Sequence, residues 1–136
     1  MAAITHLLDT SVYSQRLRPR PLPGVVRRWR ALGDAALAIP AMAEAELLYG
    51  LEKKQSDRLW REYRDFLEDR LTVLAVDKAV AAVFGRLKAE KEAAGAPRAD
   101  FDLWIAATAL HHGLILATLN GRHFHDLSGL RVEDWI

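Results

Sequence analysis

Cysteine is absent from this chain, so neither a disulfide framework nor a thiolate metal site can form. That composition suits a reducing compartment, and a cytoplasmic location is the expectation. No apolar run approaches the roughly 18 residues of a membrane span, and no charged-then-apolar leader is evident, so membrane insertion and secretion are not expected. An excess of one charge is missing too. Lys and Arg total 19 against 18 Asp and Glu, a formal net charge of +1, which leaves only local patches to attract nucleic acid. There is no Gly-rich phosphate loop, no Gly-x-Ser-x-Gly elbow and no dinucleotide fingerprint. The five histidines offer no zinc spacing: His111 and His112 are adjacent on one helix and point apart, and His123 and His125 lack partners at metal spacing. All are read as surface or capping residues.

What is present is an alternation of short apolar runs with helical patterns. At 136 residues the chain fits one domain, residues 1–136. Strands are expected at Ile4 to Leu8, Ala36 to Ile39, Leu71 to Val76, Leu114 to Thr118 and Leu130 to Val132. Between them, helices are expected from about Ser11, from Gly24 to Leu32, from Met42 to Leu51, from Ser56 to Arg70, from Lys78 to Ala94 behind an Asp77 cap, and through Leu110 behind a cap at Asp100 or Asp102. Strands alternating with helices imply an α/β fold, with a five-stranded parallel sheet sandwiched between helices as a three-layer α/β/α structure.

Acidic residues recur where apolar runs stop. Asp9 closes the first strand, Glu46 follows the second, and Asp102 opens the apolar helix before the fourth. In an open α/β sheet the carboxyl ends of parallel strands line one crevice, so acids remote in sequence can meet there. Glu44 and Glu46 cannot both face it, because two residues at about 100° each separate them by roughly 200° around one helix. Converging carboxylates repel, which raises the pKa of at least one, and a polyvalent cation relieves the repulsion. Three carboxylates with the polar Asn120 suit magnesium, which takes hard oxygen ligands. Thr10, Ser11 and Thr118 are candidate hydroxyls for holding the carboxylates in place. Six arginines between Arg16 and Arg30 make the densest basic stretch, beside Val25, Val26 and Trp29.

Leu7-Leu-Asp-Thr-Ser-Val12, Ala45-Glu-Leu-Leu-Tyr-Gly50, Asp102-Leu-Trp-Ile-Ala-Ala-Thr-Ala109, Leu114-Ile-Leu-Ala-Thr118 with Asn120, and Gly129-Leu-Arg-Val-Glu-Asp-Trp135 together resemble the PIN-domain ribonucleases, specifically VapC-type toxins. The resemblance runs the length of the chain. It implies Mg²⁺- or Mn²⁺-dependent cleavage of RNA leaving a 5′-phosphate and a 3′-hydroxyl, a homodimer or toxin–antitoxin hetero-oligomer, and neutralisation by a VapB-type antitoxin that contacts the arginine-rich N-terminal helices. Asp9, Glu46 and Asp102 fall on the family's first three acidic positions and are the expected metal ligands. Asn120 stands where many relatives carry a fourth acid, so it completes the candidate catalytic set while putting a second metal in doubt.

Two rivals remain at this stage. A phosphotransferase using Asp9 as nucleophile, as in haloacid-dehalogenase-like proteins, expects a second acid two residues on, where Ser11 stands. A non-cleaving RNA- or antitoxin-binding module that blocks translation is kept open by Asn120.

Overall fold

Five short strands run parallel in a single sheet ordered β3-β2-β1-β4-β5. They are β1 (His6–Leu8), β2 (Leu37–Pro40), β3 (Thr72–Leu74), β4 (Ile115–Thr118) and β5 (Val132–Asp134). The computed structural model describes residues 3–136. Connections from β1 through β3 step to one side, and the chain then crosses to the other side of β1 for β4 and β5. β1 and β4, paired from His6 with Ile115 to Leu8 with Ala117, therefore flank the place where strand order reverses. Crevices in this fold class open at the carboxyl ends of such strands.

Alternation along the strands divides the core between two faces. Leu8, Leu37, Ile39 and Ala117 face one apolar cluster, with Val12 and Tyr13 of α1 (Thr10–Tyr13), Val25 of α2 (Pro23–Leu32), Leu47 and Leu51 of α3 (Ala41–Lys54), and Tyr63 of α4 (Asp57–Phe66). Leu7, Ala38 and Leu116 face the opposite cluster, with Val80 and Leu87 of α5 (Lys78–Ala93) and Leu103, Ile105 and Ala106 of α6 (Asp100–His112). Strands buried on both sides read as nearly continuous apolar runs, as parallel sheets require. The three-layer α/β/α arrangement is the expected one. Among the described residues no helix is long and apolar enough to cross a membrane.

Local chemistry sets most boundaries. Asp77 accepts from the Val80 amide and caps α5, and Ser56 accepts from the Leu59 amide and caps α4. α3 continues through Gly50 and ends at Gln55, in a left-handed conformation with φ 51°. Three expectations need correction. Neither Asp100 nor Asp102 caps α6, since Ala99 holds that place without a side-chain bond and both acids lie in the first turn. α4 stops at Phe66, not Arg70, because the chain turns through Asp69 at φ 61°. β5 begins at Val132 instead of Leu130: the Leu130 amide is taken by the Leu127 carbonyl in a turn, and Gly129 has φ 82°.

Candidate active site

Asp9 is the residue immediately after β1, and only 4% of its surface is exposed. It is the N-cap of α1, with Oδ1 accepting from the Val12 amide at 3.1 Å. Oδ1 also accepts from the Ser11 hydroxyl at 2.5 Å, and Oδ2 accepts from the Thr118 hydroxyl at the end of β4. Both hydroxyls are themselves pinned by backbone. Ser11 Oγ accepts from the Leu119 amide at 3.0 Å and Thr118 Oγ1 from the Asn120 amide at 2.9 Å, which directs their own protons at the carboxylate. Capping is thus one part of what Asp9 does, and Oδ2 keeps an open lone pair after serving Thr118.

Burial pushes the Asp9 carboxyl above its ordinary range, opposed by the bonds from Ser11, Thr118 and Val12. Mutual repulsion among acids is the expected cause of such a rise; burial is the leading one here.

An open depression of about 320 Å³ joins Asp9, Glu46, Asp102 and Asn120, together with Thr10, Ser11, Ser14, Phe101, Ile105 and His123. Glu46 reaches it from α3 and is exposed. Asp102 reaches it from the first turn of α6, where its charge meets the positive end of the helix. Asn120 opens the short 3₁₀ turn Gly121–His123 without capping it through its side chain. Of the three hydroxyls expected to hold carboxylates, Ser11 and Thr118 do so. Thr10 does not, and its buried Oγ1 has no partner.

Glu44 lies off the depression, as the helical offset requires, but it is not idle. It accepts from the buried Tyr13 hydroxyl at 3.3 Å and from the Tyr63 hydroxyl at 3.1 Å, tying α1, α3 and α4 together. Burial, and then the neighbouring Glu44 charge, hold both phenols well above their ordinary pKa, so they remain donors.

His123 was missed by sequence reasoning. Its Nδ1 lies 3.3 Å from Asp102 Oδ2 and it lines the depression. No periodicity or metal spacing marks it, because the contact arises only when the turn after β4 folds back onto α6.

The donor set is entirely oxygen on its acidic side, which suits Mg²⁺ or Mn²⁺ better than zinc. Among the described residues no three His, Asp or Glu side chains converge tightly enough to make a ready cage. Magnesium usually keeps several waters and takes one or two carboxylates directly, so an open set of this kind matches its habits. The buried Thr10 hydroxyl, on a residue that lines the depression, is a further oxygen without a partner.

The PIN domain family matches residues 6–130. Ribonuclease VapC2 of Haemophilus influenzae is 35% identical over 134 residues, covering 98% of this chain and 99% of that protein. The tRNA(fMet)-specific endonuclease VapC of Shigella flexneri is 34% identical over 129 residues, covering 95% and 96%. Among solved structures, DNA-bound VapBC from Salmonella typhimurium superimposes with a TM-score of 0.82 at 29% identity, over 98% of this chain and 99% of that one.

Proposed function

The chain belongs to the PIN-domain family, and on that premise we propose that it is an endoribonuclease dependent on Mg²⁺ or Mn²⁺, the toxin of a type II toxin–antitoxin pair, with residues 1–136 forming its single catalytic domain. The observation that carries this reading is the buried Asp9 carboxylate, locked by Ser11 and Thr118 and opening onto the depression it shares with Glu46, Asp102 and Asn120. Relatives named ribonucleases over nearly their full length support the reaction class.

Asp9, Glu46 and Asp102 would hold the metal, which when bound supplies a water of lowered pKa and neutralises charge on the scissile phosphate. Asp9 contributes a carboxylate whose direction is set before substrate arrives, because both bonded hydroxyls are anchored to the β4 exit. Glu46, which reaches the depression from α3, would bind the metal directly or through a water. Asp102 is held beside His123, and Asn120 offers an amide to the substrate or to water.

The relative solved as a VapBC complex supports a VapB-type antitoxin as partner. A groove of about 380 Å³ lined by Gln15, Arg16, Arg18, Pro19, Pro21, Val25, Val26, Trp29 and Arg30 is the surface assigned to it. Hydrogen exchange on the antitoxin-bound protein should show protection between Ser11 and Leu32, and its absence there would reject this placement.

The decisive experiment maps the ends of RNA after incubation with Mg²⁺, with Mn²⁺ and with EDTA. New 5′-phosphate and 3′-hydroxyl ends should appear only with metal and should vanish in Asp102→Asn. RNA that is bound but uncut under all conditions would favour the non-cleaving RNA-binding module instead.

A further inference from the structure

A second open cleft, of about 410 Å³, adjoins the candidate site and shares two of its walls, Asp102 and His123. Its other side chains include Arg98 and Arg122. Arg122 is exposed and has no ion-pair partner among the described residues. Arg98 is held in place: its guanidinium bonds to Asp126, which also accepts from Lys91 at 2.7 Å. Two cations on one carboxylate leave that cluster with a positive remainder, and they hold the Asp126 carboxyl below its ordinary range, with Lys91 first among the causes. Asp100, nearby on α6, is neutralised by Lys88 at 3.0 Å. The charge facing this cleft is therefore positive, apart from Asp102 at its inner edge.

On the far side, a third depression shares Thr10, Ser14 and Glu46 with the candidate site and carries Arg18, Lys54 and Arg58. Cation-bearing depressions thus adjoin the acidic site on both its Asp102 and its Glu46 sides, with Arg58 itself paired to Glu62 at 3.0 Å. A metal at the acidic centre can serve one phosphate, but an RNA strand presents another on either side, and each needs a cation where it leaves the centre.

Resting on the ribonuclease reading, we propose that the cleft lined by Arg98, Arg122 and His123 is a subsite for the backbone phosphate adjacent to the scissile one, on the Asp102 side of the site. Arg122 is its unpaired contact and Arg98 its preset one. The Asp126 clamp orients the Arg98 guanidinium before substrate arrives, so little side-chain freedom is lost when phosphate binds. His123 stands at the junction of the two spaces, with Nδ1 3.3 Å from Asp102 Oδ2.

The test uses fluorescence anisotropy with a short single-stranded RNA of mixed sequence, titrated against the parent, Arg122→Ala, Arg122→Lys and, as a surface control, Arg86→Ala on α5, in EDTA and again with Mg²⁺ across a range of salt. Loss of one phosphate contact on a single strand lowers the slope of log affinity against log salt by about 0.7. Arg122→Ala should show that loss and weaker binding at low salt, Arg122→Lys should retain the parental slope, and Arg86→Ala should match the parent. Equal slopes in parent and Arg122→Ala, equal losses in Arg122→Ala and Arg86→Ala, or no RNA binding by the parent would each overturn the subsite. Cleavage is scored on the same samples by gel. RNA that is cut by the parent with an unchanged slope in Arg122→Ala rejects the subsite alone. RNA that is bound through Arg122 but never cut rejects the nuclease reading alone.

Discussion

Thr118 donates its hydroxyl to Asp9 Oδ2 across 109 positions of chain, and the Thr118 Oγ1 itself accepts from the Asn120 amide. One side chain therefore stitches the end of β4 to the end of β1 and aims the carboxylate of the candidate site. Partners of a metal-binding carboxylate typically carry about 10- to 100-fold of metal affinity or activity. Thr118→Val, which preserves shape and removes the donor, should lower Mn²⁺ affinity by about that factor in titration calorimetry. An unchanged affinity would show that the bond serves the fold and not the site.

Asp9→Asn separates the capping role from the chemical one. Asn is as good an N-cap as Asp, so helix α1 should persist and circular dichroism should match the parent. Mg²⁺-dependent RNA cleavage should fall below detection. Retained cleavage would remove Asp9 from the reaction.

Glu44 carries a different kind of prediction. Removing its carboxylate leaves the Tyr13 and Tyr63 hydroxyls without an acceptor, and a buried unsatisfied group costs about 1–3 kcal/mol. Glu44→Ala should lower the melting temperature by several degrees, whereas Glu44→Gln, which keeps an acceptor oxygen, should lower it by much less. Equal melting of both variants with the parent would show that the two tyrosines find other acceptors.

Gly24→Ala should destabilise, although Ala is the better helix former by up to about 1 kcal/mol. A methyl at Gly24 would stand 2.8 Å from the Ile136 carbonyl carbon and from the Trp135 oxygen, both backbone atoms. Backbone cannot swing aside as a flexible side chain can, and overpacking costs about 1–3 kcal/mol. Thermal unfolding decides the sign, and a rise in melting temperature would mean that the Trp135–Ile136 backbone yields easily.

Glu133 sets an acid limb. Burial alone would raise its carboxyl, but the Trp135 indole N–H at 3.1 Å and His6 at 3.0 Å outweigh that and hold it below its ordinary value of 4.5. A lowered folded-state pKa means that its stabilisation is present above the unfolded value and is lost as pH falls through the lowered one. Between neutral pH and pH values below 4.5 the parent should therefore lose more stability than Glu133→Gln. Parallel melting curves for the two proteins over that range would show that the carboxylate contributes nothing.

The sequence by itself determined the alternation of strands and helices, since the central strands, buried on both faces, must be apolar and β1 stops at Asp9, a residue suited to begin a helix. It also put Asp9, Asp102 and Asn120 at element ends and Glu46 within the helix that follows β2, and a parallel sheet gathers its carboxyl ends on one edge. Boundaries such as the Asp77 cap were legible because capping is a local bond. Tertiary structure alone decided that Thr118 aims Asp9, that His123 lies against Asp102, that Glu44 serves two tyrosines, and that Arg98 and Arg122 face a cleft continuous with the acids. Each of these joins residues from separate elements, through a turn or a strand pairing that leaves no period in the chain. The source of the Asp9 shift was hidden for the same reason, because desolvation depends on how many layers cover a residue and not on which acids neighbour it in sequence.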